Sequence, residues 1–357
     1  MRWRHPGHGF AGSDEGGTTG HQRGPLFHHV DRNRVHEPAV QPHVRRHLRG
    51  GTRDRARGRS APLGHGQPDG HLFRRLLLLS ENPWTLEEGR LALVTWNLNS
   101  VRVRTPRLIR FLKEHRPDVL CLQELKAEAS DFPSAQVKEA GYEVEILGQR
   151  TYNGVAVLSR GPIVRKAEGL GDPSLDGQAR FLVVETLGLH VASAYMPNGQ
   201  SLESEKYAFK RAWLDGLNSW LRTSPLARER FLLLGDYNIA ADDRDVANPD
   251  SWEGSVLYND AMRAVVWEGF REGGLFDLFR VGEKRPGIYS WWDYRNLGFP
   301  KNDGLRIDHV FGTEDLVPLV RRGFVDREER KEKSCPEGTK PSDHAPLGVV
   351  IDPVEAA

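Results

Sequence analysis

Phe231-Leu232-Leu233-Leu234-Gly235-Asp236-Tyr237-Asn238 carries the clearest architectural signal in the chain. Four apolar residues break off at a glycine, and two oxygen-bearing side chains follow, two positions apart. A run this short and this apolar reads as a buried strand, with Asp236 and Asn238 at its polar exit. In extended backbone, residues 236 and 238 project to the same side, so their side chains are expected to converge on one ion or one phosphate. The same event recurs along the chain. Residues 91–96 run into Asn97, 118–122 end at Glu124, and 305–311 carry Asp308 just after Ile307. One strand-terminal Asp or Asn is usually a turn former. Five such side chains at four strand ends in one stretch of chain point instead to a set of positioned oxygens.

The flanking sequence supplies the rest of the architecture. Residues 142–147, 154–159, 181–187 and 190–195 read as strands separated by Gly, Pro and Asp turn signals, in hairpins and not in βαβ units. Further strands are expected at 288–292 and 347–351. Thr105-Pro106 reads as the N-cap and first-turn proline of an amphipathic helix that presents Leu108, Ile109 and Leu112 on one face. Residues 201–221 form a long helical pattern, and the stripe of Phe209, Trp213, Leu217 and Trp220 reads as core. No internal repeat of 20 to 50 residues is evident. Residues 91–353 therefore read as one α/β (α+β) domain, in which strands form the core and helices cover it.

Charge divides the chain differently from its total. The net charge of +1 combines residues 1–90, with 15 Arg, no Lys and 9 acids, and the remainder, with 35 bases and 40 acids. Residues 1–90 also hold 10 of the 14 His and are dense in Gly and Pro. They are expected to be a disordered extension. It is a basic tail that touches nucleic acid or binds metal, a merely solvated tail, or a leader read from too early a start. The apolar run at 76–79 falls far short of the ~20 residues that cross a bilayer and lacks a cleavage pattern, which argues against a membrane protein and against export. Cys121 and Cys335 are the only cysteines. Two thiols exclude a disulfide framework and a Cys-ligated zinc site, and they fit a reducing cytoplasm.

Pro341-Ser342-Asp343-His344-Ala345-Pro346 adds a carboxylate beside an imidazole in a loop stiffened by proline at both ends. Glu, Asp and Asn oxygens without cysteine make a hard-ligand set, suited to Mg²⁺ with Mn²⁺ as a substitute. Since Mg²⁺ usually takes one or two carboxylates from a protein, the remaining groups are free to orient water and stabilise charge on a reacting phosphate.

The motifs TWNLNSVRVR at 95–104, PDVLCLQELK at 117–126, YMPNG at 195–199, LLLGDYNIA at 232–240, YSWWDYR at 289–295, GLRIDHV at 304–310 and PSDHAP at 341–346 resemble the exonuclease III family. These are bacterial apurinic/apyrimidinic endonucleases within the endonuclease/exonuclease/phosphatase superfamily. The resemblance runs through 91–351 and does not reach 1–90. It implies a four-layer DNase I-like sandwich: two mostly antiparallel sheets packed face to face, helices outside, and the active site at one end. It also implies a Mg-dependent hydrolase of DNA phosphodiester bonds, acting as a monomer on duplex DNA at abasic sites and 3′ ends.

By that resemblance Glu124 is the chief metal ligand, with Asn97 and Asp343 close to it and Asp236, Asn238 and His344 around the same ion. Asp236 would handle the proton of the attacking water or of the leaving oxygen, and Asn238 would hold that water or the phosphate. His344, charged by Asp308, would hydrogen-bond a phosphate oxygen, and Tyr195 would present its phenol to it. Trp291 would line a pocket for the base-free sugar, which a normal nucleotide is too large to enter. Arg295 and Lys206 are candidates for DNA contact, as are Lys210 and Arg211 on the same helix face, although a solvated face explains that spacing equally well. Two departures stand out. Ala241 replaces a common proline, and His309 follows Asp308 as an ordinary strand residue. Other superfamily phosphodiesterases and a non-catalytic relative are the competing readings; a degenerate relative would be expected to have lost polar site residues.

Overall fold

The computed structural model describes residues 82–84, 87–295, 297–335 and 338–354. The disorder expected for residues 1–90 thus falls, up to residue 81, outside the described residues. Twelve strands are present among the described residues: β1 (Leu91–Asn97), β2 (Val119–Gln123), β3 (Glu143–Leu147), β4 (Val155–Ser159), β5 (Val164–Glu168), β6 (Phe181–Thr186), β7 (Leu189–Tyr195), β8 (Phe231–Asp236), β9 (Leu275–Asp277), β10 (Asp308–Thr313), β11 (Val320–Val325) and β12 (Leu347–Ile351). They form two six-stranded sheets, ordered β11-β12-β1-β2-β4-β3 and β5-β6-β7-β8-β10-β9. Only β1/β2 and β7/β8 run parallel; the other pairs are antiparallel.

Three apolar layers hold four structural layers together. Leu93, Val157, Val184, Leu232, Leu234, Val310 and Val349 are among the fully buried side chains between the sheets. Helix α1 (Val101–His115) lays Leu108, Phe111 and Leu112 against Trp96, Leu120 and Leu122 on the outside of the first sheet. Helices α2 (Glu205–Thr223) and α3 (Asp260–Glu272) cover the second sheet through Trp213, Leu217, Met262 and Phe270. Each such side chain contributes roughly 1.5–3 kcal/mol on burial. The expected sandwich is the observed one.

Both parallel pairs are bridged by a helix, giving β1-α1-β2 and β7-α2-β8, βαβ units that the hairpin pattern did not reveal. A parallel crossover brings the two strands out at the same end of the sheet. Asn97 pairs with Gln123, Tyr195 pairs with Asp236, and Asp236 pairs with Asp308. Gly235 makes the second row possible, because a Cβ there would lie 1.9 Å from the carbonyl oxygen of Ala194.

Several boundaries differ from expectation for identifiable reasons. Helix α1 starts at Val101, not at Thr105: the amides of Ser100 and Val101 donate to the carbonyls of Glu124 and Leu125, which replaces a side-chain cap. Pro106 lies inside the helix on an exposed face, where water can satisfy the carbonyl it leaves free. Helix α2 begins at Glu205, because the Ser204 hydroxyl accepts from the Tyr207 amide and caps it. Residues 288–292 form no strand. Trp291 makes isolated bridges, while Ser290 Oγ accepts from the amides of Ile307 and Asp308 and holds β10 back to Asp308. β5, β9, β11 and α3 were not anticipated.

The packed domain also begins before Leu91. Trp84 lies on Phe111, His115 and Phe324 with ring centroids 5.1, 4.6 and 5.0 Å away, and its indole donates to Asp326 Oδ2 at 2.7 Å. No helix among the described residues is long and apolar enough to cross a membrane.

Candidate active site

The exits of β1, β2, β7 and β8 and the start of β10 share one end of the sandwich, and the loop before β12 closes over it. Asn97 is the hub. Its Nδ2 donates to Glu124 Oε1 at 2.8 Å and to Asp236 Oδ2 at 2.8 Å, so it ties the two sheets together. The Tyr195 phenol donates to the same Glu124 Oε1 at 2.9 Å. Glu124 Oε2 faces Lys126 Nζ at 2.9 Å. Lys126 then donates to Asn99 Oδ1 at 2.7 Å, and Asn99 Nδ2 donates to Asp343 Oδ1 at 3.0 Å. The other Asp343 oxygen accepts from the Trp291 indole at 3.0 Å.

His344 stands between two acids. Its Nδ1 lies 2.8 Å from Asp308 Oδ2, and its Nε2 lies 3.7 Å from Asp236 Oδ2. Ser342 fixes the loop by donating to the Asn97 carbonyl at 2.8 Å while accepting from the His344 amide. Burial opposes a charged imidazole, but Asp308 and Asp236 outweigh it and lift His344 to about 10, so the ring is an imidazolium at neutral pH. Burial pushes Asp236 up to about 7, against the pull of that imidazolium. Burial also acts to raise Glu124, but Lys126 and Asn97 hold it below the usual carboxylate range. Asp343 is likewise lowered, because His344, Asn99 and Trp291 overcome its burial. Burial and the Glu124 charge raise Tyr195 well above an ordinary phenol, so it remains a donor. The site therefore pairs a fixed cation with an acid that titrates near neutrality.

Asn238 arrives by a different route from the one expected. β8 ends at Asp236, and Asn238 is left-handed, with φ of 52°, not extended. Convergence comes from hydrogen bonds: its amide donates to Asp236 Oδ1 at 2.9 Å, and its Nδ2 to the Met196 carbonyl at 3.0 Å and toward Asp236 Oδ2 at 3.4 Å. Asn198 Nδ2 donates to Asn238 Oδ1 at 2.8 Å. Asn99, Glu124 and Lys126 are also left-handed, with φ of 49°, 50° and 51°. Such backbone costs about 1–3 kcal/mol per residue and persists where its surroundings hold it, often at functional sites.

The candidates for DNA contact are placed less centrally. Lys206 is exposed in the first turn of α2. Arg295 is exposed and paired with Asp293 at 2.6 Å. Lys210 contradicts both expectations, DNA contact and a solvated helix face. It is fully buried, with Nζ donating to three backbone carbonyls. The 201–221 pattern held a cue, since Lys210 lies three residues before Trp213 on the buried side. His309 is an interior residue. Burial pulls it down to about 4, and its Nε2 meets the Ile239 carbonyl at 2.8 Å.

Residues 94–344, which contain the whole cluster, match the endonuclease/exonuclease/phosphatase family. The chain belongs to that family. Among its relatives is exodeoxyribonuclease III of Haemophilus influenzae, 30% identical over 71% of this chain and 97% of its own length. A DNA-(apurinic or apyrimidinic site) endonuclease of Dictyostelium discoideum is 26% identical over 75% of this chain and 72% of its own length. Among solved structures, a 3′ phosphatase from Neisseria bound to a product DNA hairpin is 33% identical, with a TM-score of 0.68 and coverage of 73% of this chain and 99% of that one. An AP endonuclease from Archaeoglobus fulgidus is 32% identical at the same TM-score and coverage. These relatives bear out the resemblance to exonuclease III-type enzymes.

Within this family member, the oxygen set suits a hard cation. Lys126 Nζ already rests among Glu124 Oε2 and Asn99 Oδ1, so positive charge is accommodated there. The ligand atoms of Asp236, Asp308 and His344 also lie within 4.8 Å of one another, a grouping able to hold a metal ion. Asp308 already engages His344 Nδ1 at 2.8 Å, whereas Glu124 Oε2 faces a cationic group, which makes the Glu124 side the better match for a cation. Lys126 and Asn99 were the residues missed in the sequence. Each lies two positions from a chosen one, in ELK and in NLN.

Proposed function

We propose that this chain is a Mg-dependent nuclease of the exonuclease III type, acting as a monomer on duplex DNA at abasic sites and 3′ ends. Residues 91–353 would be the catalytic domain. The observation that carries the reading is the Asn97 amide joined to both Glu124 and Asp236, beside the His344–Asp308 pair. Glu124, Asn97 and Asp343 would hold the ion. When bound, Mg²⁺ supplies positive charge that offsets the charge building on the phosphate.

The chain's own residues do the rest. Asp236, titrating near neutrality, takes a proton from water or gives one to the leaving oxygen. Asn238 orients that water or the phosphate. The His344 imidazolium donates from Nε2 to a non-bridging oxygen, and the Tyr195 phenol donates beside it. Trp291, held by Asp343, offers an apolar wall to a base-free sugar. Lys206 and Arg295 would meet the DNA backbone.

The test is a panel of abasic, blunt-ended and 3′-phosphate duplexes with Mg²⁺ or Mn²⁺. Incision or 3′ trimming is expected, and Glu124→Gln should lower it by about 100-fold or more while DNA binding persists. An inert wild type would sink the reading, and full activity in Glu124→Gln would sink the metal assignment.

A further inference from the structure

We infer that Lys210 is the positioning residue that aims the Asn238 side chain into the site, acting from beneath the active-site loops without touching DNA. The inference rests on the proposed function, since it gives Asn238 its work. Lys210 has no exposed surface, and its ammonium donates to three carbonyls from three separate segments: Asn198 at 3.2 Å, Asn238 at 2.8 Å and Val256 at 2.6 Å. All three protons are used. Among the described residues no carboxylate forms an ion pair with it.

Two of those carbonyls belong to the residues that set the geometry of Asn238. One is its own, which Lys210 fixes just after the left-handed turn at φ 52°. The other is that of Asn198, whose amide donates to Asn238 Oδ1 at 2.8 Å. The side chain of Asn238 is thus oriented from Asn198, and its backbone is anchored from Lys210. Gly199 allows the arrangement. Its φ is +98°, and a Cβ there would approach Lys210 Cδ and Tyr207 Cδ2 to 3.2 Å, so the loop can lie flat on the lysine stem.

A solvent-exposed lysine that tracks phosphates would act on DNA affinity and its salt dependence. A buried lysine that aims a catalytic amide acts on turnover, because a misplacement of about 1 Å can cost about 100-fold. The experiment measures kcat and KM on an abasic duplex for Lys210→Met, for Asn198→Ala, and for each combined with Asn238→Ala. Lys210→Met is expected to lower kcat by roughly 10- to 100-fold with KM within about 3-fold of wild type. Asn198→Ala, which leaves the buried site intact, should shift kcat in the same direction. Lys210→Met added to Asn238→Ala should cost little more, since both act through one group.

Additive losses, or a loss confined to KM with a shallower salt dependence, would overturn the inference. Melting curves separate a turnover effect from a fall in the folded fraction. An activity-independent arm follows the Asn238 side-chain amide by NMR, assigned by its disappearance in Asn238→Ala. It should move in Lys210→Met, and an unmoved resonance would overturn the inference. If the wild type cleaves none of the duplexes, the proposed function fails, and the NMR arm still decides the role of Lys210.

Discussion

Asp308→Asn is the most informative single change, because it removes one charge and almost no volume. In the wild type, His344 Nδ1 lies 2.8 Å from Asp308 Oδ2, both groups are buried, and the imidazole is lifted to about 10. A hydrogen bond to a charged group is worth about 1.5–3 kcal/mol. Two unit charges about 4 Å apart at an effective dielectric of about 20 attract by about 4 kcal/mol. These bracket the loss at roughly 2–4 kcal/mol, or about 30- to 1,000-fold in rate at one decade per 1.36 kcal/mol. Burial then takes over and favours neutral His344.

The assay is single-turnover cleavage of an abasic duplex across pH 6–9. At pH 8 the variant should be slower by that factor, and the ratio of variant to wild-type rate should rise as pH falls and the imidazole regains its proton. Asp236 feels the charges of both His344 and Asp308, so its own titration differs in the variant and is fitted separately. Stability follows the same sign. A group whose folded pKa is raised stabilises fully below its unfolded value, about 6.5 for His, and loses that contribution as pH climbs through about 10. Asp308→Asn should move that loss to lower pH. A pH-independent rate ratio would refute the assignment of His344 as a charged donor.

Two further outcomes concern the frame. Trp84→Ala should cost about 2 kcal/mol, a partly buried fraction of a core Trp→Ala change, with incision unaltered; a chain starting at Leu91 should melt equally early, and an unchanged Tm in either would show that the Trp84 contacts carry no weight. Arg306 is fully buried and pairs with Asp245 at 2.8 Å and Asp277 at 2.7 Å, so Arg306→Met strips Asp277 of its guanidinium partner and leaves Asp245 with Arg280 alone. That should cost about 3–5 kcal/mol and lower Tm by about 10 °C, and calorimetry finding a neutral change would contradict it.

The layered fold and the polar residues gathered at one end of it were legible in the chain, for a local reason. Burial of both faces makes a central strand a continuous apolar run, so 231–234 and 91–96 announce themselves. The residue that stops each run, Asp236 or Asn97, has to sit at a sheet end. Nothing local stated which ends coincide. The parallel pairing of β1 with β2 and of β7 with β8 sets that, through registers that align Asn97 with Gln123 and Tyr195 with Asp236. Contacts distant in sequence also decided the start of α1, whose first amides find carbonyls more than twenty residues away. The Thr-Pro signal that resembles a cap could not register them. Lys210 marks the limit most clearly. A lysine in a helical pattern reads as surface because burying an ammonium is costly. Only the tertiary structure supplies the three loop carbonyls that make its burial tolerable.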